Sequence, residues 1–227
     1  MQNNNEDLTE VFREVGKRHG YTDIEAEYTA FRDMKIKWTR SYKWIRFDIS
    51  DYLMDAPREV LSSIADTIFM RIRGAEETHY TDAVSQWVSS PDFVRSKQPM
   101  YVRRCRGLTI SPKGDHRDLD ESYKRLVDRG LLEMDPDIYL GWGPAGTGRR
   151  SGFSSVLMKV VNMSKVLDAD DIPESVLDYC LYAQLAHISM GFDPYTMNRG
   201  EEYDRLLSRY PDREGAEYLL KQYNVRI

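Results

Sequence analysis

One stretch constrains the rest of the chain: the 24-residue run from Asp168 to Gly191, DADDIPESVLDYCLYAQLAHISMG. Val176, Leu177, Cys180, Leu181, Leu185 and Ile188 recur at helical spacing, which predicts an amphipathic helix. Pro173 can open its first turn, where the missing N–H costs nothing, and Glu174 suits the positive helix end. Gly191 is a natural stop. A helix of this length needs a layer to bury its apolar face, so the chain must build a core around it.

Inside the run lies Ala183-Gln184-Leu185-Ala186-His187. Residues at i and i+4 share one helix face. In the zinc motif H-E-x-x-H those two positions are histidines that bind the metal, and the glutamate is the general base. Here the second histidine stands as His187, while Ala183 and Gln184 replace the other two residues. The flanks extend the comparison. A strand with small polar residues, Ser154 to Met163, comes first; then Ser164, Leu167-Asp168, Pro173 and the apolar run. Downstream stand Asn198-Arg199-Gly200-Glu201-Glu202-Tyr203, then Tyr210-Pro211 and a closing helix, Glu214 to Tyr223. In this order of features the chain resembles the YgjP-like and SprT-like zincin metallopeptidases, most clearly over residues 151–227. That family often carries N-H-S-x-x-F downstream, with its histidine as third zinc ligand; Arg199 stands at that position here.

The resemblance implies a zincin-like fold with the chemistry removed. A catalytic zinc needs about three protein ligands and a water. Ala183 has no ligand atom, Arg199 is a permanent cation, and Gln184 cannot take a proton from water. The vestigial positions are therefore Ala183, Gln184, His187 and Arg199, with no catalytic residue, no metal and no cofactor expected. His187 beside the Arg199 charge should be neutral at pH 7.

Composition narrows the class. The 227 residues are 41% hydrophobic and 30% charged, enough apolar material for a sizeable core. No apolar run approaches the ~20 residues of a membrane span, and the polar N-terminus is unlike a signal peptide. Cys105 and Cys180 have no metal spacing, and Cys180 falls on the apolar helix face, which fits a buried thiol and a cytoplasmic setting. The net charge of −5 gives no global attraction to nucleic acid.

Other elements follow from pattern. Helices are predicted over Glu6–Gly20, Asp55–Gly74, His79–Ser90 and Asp118–Arg129, and strands over Met34–Trp38, Trp44–Ile49 and Asp137–Trp142, with a further one at Ala26–Phe31. The order Ser50, Leu53, Asp55, Pro57, Val60-Leu61 echoes Ser164, Leu167, Asp168, Pro173, Val176-Leu177; shared helix-start chemistry is enough to account for this. Gly141-Trp-Gly143-Pro-Ala-Gly146 matches G-x-G-x-x-G, but a strand rather than a helix follows it, so it is no dinucleotide site.

The expected fold is α+β: one zincin-like domain over 1–227, with a twisted, mainly antiparallel sheet packed against helices that include the degenerate active-site helix. The leading expectation is a catalytically inactive binding module that receives a peptide along an edge strand, Ser155 to Asn162. The alternatives are a hydrolase with ligands from His79, His116, Asp118 or Glu202, and a nucleic-acid-associated module. The last would use Arg95, Lys97, Arg103, Arg104 and Arg106, interleaved with Phe93 and Tyr101. Arg149 and Arg150, in the hairpin loop after the Gly-rich match, are separate candidate binding residues lining a groove. No membrane partner is expected.

Overall fold

A computed structural model describes residues 3–144, 150–196 and 198–227. The chain is α+β and divides into two compact units, Met1–Phe93 with Asp193–Met197, and Val94–Phe192 with Asn198–Ile227. Among the described residues no helix is long and apolar enough to cross a membrane.

The first unit opens with helix α1 (Asn5–Arg18), started by a capping box between Asn4 and Asp7. Its buried face is Leu8, Val11, Phe12 and Val15. Strands β1 (Asp23–Thr29), β2 (Ile36–Arg40) and β3 (Trp44–Ser50) follow, then a 3₁₀ turn (Asp51–Leu53), helix α2 (Arg58–Ile72) and the short helix α3 (Asp82–Val88). The sheet order is β1-β3-β2, with β1 parallel and β2 antiparallel to β3. Ile45, Phe47 and Ile49 alternate onto the helix side and are buried. Gly16 lets α1 approach this core closely: a Cβ there would lie 2.2 Å from Ile24 Cδ1 and 2.7 Å from Phe69 Cζ.

Helix α4 (Pro91–Arg104) leads into the second unit. That unit contains α5 (Leu119–Asp128), β4 (Tyr139–Gly143), β5 (Gly152–Ser155), β6 (Val160–Ser164), a 3₁₀ turn (Lys165–Leu167) and α6 (Glu174–Met190), then α7 (Gly200–Leu207) and α8 (Arg213–Gln222). The sheet order is β4-β6-β5, again with one parallel and one antiparallel pair. Both sheets are thus small and mixed, rather than one mainly antiparallel sheet. The expected continuous strand Ser154–Met163 is instead a hairpin, turning at residues 156–159. Its second arm, β6, is the central, wholly buried strand, so the edge is β5 and not Ser155–Asn162.

Helix α6 is buried almost all round rather than on one face. From Val176 to Ile188 every residue except His187 is buried, Asp178 and Gln184 included. The second sheet, α5, α7 and α8 all pack on it.

The two units repeat one topology: helix, parallel outer strand, antiparallel edge strand, central strand, 3₁₀ turn, long helix. The agreement reaches individual bonds. Ser50 N–H donates to Lys35 O at 3.0 Å, and Ser164 N–H to Ser151 O at 2.8 Å, each where the central strand ends. Pro57 and Pro173 precede the long helices with φ/ψ of −55/147° and −59/142°. The buried positions of α1 recur in α5 as Leu119, Ser122, Tyr123 and Leu126, at the same spacing. The helices even carry an ion pair at matching positions with its charges exchanged: Glu14–Arg58 at 2.9 Å and Arg125–Glu174 at 3.9 Å. Helix-start chemistry alone does not produce matching registers, so the sequence echo marks a repeated unit.

Candidate functional site

Ala183 and His187 lie one turn apart on α6, as i and i+4 residues must. Ala183 is fully buried, Gln184 is buried, and His187 is half-buried. What covers this face is Tyr203 from α7. Its ring stacks on His187 with centroids 3.9 Å apart and planes at 12°, and its hydroxyl donates to Ala183 O at 3.3 Å. Burial pushes the Tyr203 phenol up to about 12 and holds the His187 imidazole below its ordinary value.

Arg199 goes elsewhere. It donates to Met190 O at 2.8 Å and Gly191 O at 2.9 Å, closing the C-terminal end of α6, where a cation is favoured. Its other side forks onto Glu202 at 2.7 and 2.8 Å. Glu202 thus gives the Arg199 guanidinium a carboxylate partner. However, it is the last residue of the Asn198–Tyr203 segment, not Arg199, that reaches the Ala183–His187 face. The lowered His187 value accordingly comes from burial rather than from a neighbouring guanidinium.

The repeat supplies an internal comparison. Counting from the two prolines, Thr67, Ile68 and Arg71 of α2 correspond to Ala183, Gln184 and His187. Here too a tyrosine from the following segment covers the last position, with the Arg71 guanidinium 4.7 Å above the Tyr80 ring. Thr67 Oγ1 has Ser63 O at 3.0 Å and His79 O at 3.2 Å, which share its one hydroxyl hydrogen. Among the described residues, no three His, Cys, Asp or Glu side chains are grouped so as to hold a metal.

The other candidates are dispersed and locally engaged. His79 Nδ1 lies 3.2 Å from Pro194 O, beside the Tyr195 ring. His116 faces Asp170 at 3.1 Å. Asp118 caps α5 by accepting the Asp120 N–H. In the basic stretch, Arg103 and Arg104 occupy the last turn of α4, where cations complement the carbonyl end. Arg95 meets Asp137 at 3.2 Å, Lys97 is buried, and Arg106 is exposed. Phe93 and Tyr101 are each 3% exposed, so neither ring can stack on a base. Arg149 lies outside the described residues. Arg150 is exposed and bridges in parallel to Arg226. Gly141 and Gly143 sit inside β4, not in a phosphate-binding turn. Neither cysteine is in a disulfide and both are buried, and burial pushes the Cys180 thiol up to about 12.

Two carboxylates, Asp168 from the flanking order and Asp178, which no sequence motif marks, tie this region together. Asp168 accepts N–H bonds from Asp115, His116 and Arg117 at 2.7–2.9 Å. Burial alone would raise its value, but these three donors outweigh that and hold the carboxyl below its usual range. Asp178 is 1% exposed and accepts from Ser122 Oγ at 2.5 Å and from Arg125 at 2.7 and 3.0 Å.

The His187 environment makes stability pH-dependent. In the unfolded chain His187 takes up a proton near 6.5, whereas in the folded chain its value is lower. Acid therefore favours unfolding, and the stability contribution present above that value is lost as the pH falls below it. A His187→Phe variant keeps the ring against Tyr203 and removes the titration. Its melting temperature should fall less than that of the parent between pH 7 and about 5; identical losses would contradict this.

Comparison with known protein families, curated protein sequences and solved structures finds no match to this chain.

Proposed function

We propose that the chain is a zincin-like protein that has lost zinc and peptidase chemistry and acts as a binding module for an extended polypeptide segment. The observation that carries this reading is the filling of the Ala183–His187 face by Tyr203. In an active zincin that space holds the metal and its water; here a stacked phenol occupies it. The descent of the central strand through a 3₁₀ turn into a long helix agrees with the resemblance. One imidazole, an alanine and a glutamine supply neither three ligands nor a general base. A binding role needs neither. The edge strand β5 packs beside α6, and beyond the Arg150–Arg226 bridge no strand pairs with its free side among the described residues. Strand addition there would use backbone groups and pockets for alternate side chains.

Zinc titration against a chromophoric chelator tests the ancestry. The parent chain should take up no stoichiometric zinc. The triple change Ala183→His, Gln184→Glu and Tyr203→His should create a site that competes with the chelator and raises the melting temperature when loaded. Tyr203 replaces Arg199 in this design because it is the residue on the face. Stoichiometric zinc surviving dialysis in the parent would overturn the loss of metal, and a folded triple variant without zinc affinity would overturn the zincin-like reading.

A further inference from the structure

In the first unit, the ends of three elements line one concavity. His19 is the C-cap of α1, Arg73 is the C-cap of α2, and β2 ends at Arg40, from which a tight turn held by Ser41 N–H to Trp44 O at 2.9 Å projects Tyr42. Together with Gly20 and Tyr21 these residues line an open concavity of about 450 Å³. Arg18, Arg46 and Arg58 in the same unit all meet carboxylates within 4 Å. Arg40 instead donates to two neutral oxygens, Tyr21 Oη and Ile72 O, both at 3.2 Å. Neither Arg40 nor Arg73 has a carboxylate partner among the described residues. His19 holds Asp66 through Nε2 at 2.9 Å, while its Nδ1 is buried without a hydrogen-bond partner.

Closing the α2 carbonyl end accounts for one cation, through Arg40 and Ile72 O. Arg73, the C-cap residue of α2, adds a second guanidinium to the same concavity. Guanidinium groups present several donors in a fixed fork that matches phosphate oxygens. Tyr42 is 94% exposed, and Tyr21 also lines the concavity. An exposed phenol gives no folding benefit from burial, but it offers a flat face to a planar ligand. We infer that this concavity binds a small phosphate monoester carrying a planar ring, of the nucleoside monophosphate class, with Arg40 and Arg73 on the phosphate and Tyr42 on the ring. The site is built from first-unit residues alone and does not depend on the zincin-like reading.

Amide NMR of the full chain, titrated with AMP, inorganic phosphate, adenosine and matched sodium chloride, tests this. AMP should shift the amides of Gly20, Ser41, Tyr42 and Gly74 with a dissociation constant of about 1 mM or tighter. Phosphate should shift the same set more weakly, and chloride should not. Arg73→Gln should weaken AMP and phosphate alike by about tenfold, and it leaves the Arg40 contacts to Tyr21 and Ile72 intact. Tyr42→Ala should remove the advantage of AMP over phosphate and leave phosphate binding in place. No shifts with AMP at ten times that concentration, equal shifts with chloride, or unchanged AMP affinity in Arg73→Gln would each overturn the proposal.

Discussion

Arg125→Met is expected to destabilise the protein by about 3–5 kcal/mol, the range for stranding one member of a buried ion pair. Asp178 is 1% exposed on α6, and Arg125 supplies two of its hydrogen bonds, at 2.7 and 3.0 Å. Methionine keeps the stem packing of arginine but leaves the carboxylate with Ser122 Oγ and a distant Arg129, 3.9 Å away. Total stabilities of about 5–15 kcal/mol are usual, so such a loss should be plain in urea denaturation. Replacing both partners, Arg125→Met with Asp178→Leu, should recover most of it, because a buried pair can often be exchanged for apolar groups at little cost. A single variant within about 1 kcal/mol of the parent would mean that Asp178 is solvated in solution.

Phe69→Ala should cost a similar amount, about 3–5 kcal/mol, by a different mechanism. Phe69 is fully buried, with its ring centroid 5.3 Å from Phe47, 6.4 Å from Phe12, 5.4 Å from His19 and 5.6 Å from Tyr21. Four rings from α1, β3 and the α1–β1 connection thus lean on one side chain. Truncation removes its transfer free energy and leaves a cavity that packed aromatic neighbours cannot fill. Phe69→Leu should lose less than half as much. Equal losses for Ala and Leu, measured by chemical denaturation, would show that aromatic shape rather than volume is what the site requires.

Much of this architecture is legible in periodicity. Leu8, Val11, Phe12 and Val15 announce α1, and the apolar run of α2 does the same; for α6 the run is legible, but its burial on every side is not. Strand β3 shows the alternation of a sheet with one buried face. The β5–β6 hairpin was not legible because its turn lacks the usual residues. Lys159, not glycine or asparagine, takes the left-handed conformation there, at φ 48°. Helix α4 was hidden by Pro99 and by cations on most sides of a weakly apolar segment. Parallel pairing of β1 with β3 and of β4 with β6 is a long-range choice that no local pattern encodes. At the candidate site, the i, i+4 relation of Ala183 and His187 follows from helix geometry alone. The identity of their neighbour does not. Arg199 and Tyr203 are one helical turn apart, and the longer side chain found unsatisfied carbonyls at Met190 and Gly191 before it could reach the histidine.

The exchanged charges on the two helix pairs bear on how the chain avoids assembling wrongly. Two copies of one topology can trade helices while still loose, a recurrent failure of repeat proteins. With α1 in the place of α5, Glu14 would face Glu174, and Val11 and Glu14 would stand where Ser122 and Arg125 serve the buried Asp178. With α5 in the place of α1, Arg125 would face Arg58. The exposed pairs alone discriminate by about 1 kcal/mol or less. The stranded Asp178 adds several more, because a buried carboxylate without its cation is among the costliest defects in a core. The polarity of these pairs therefore acts as an address label, admitting each opening helix to its own partner and turning back its near-twin.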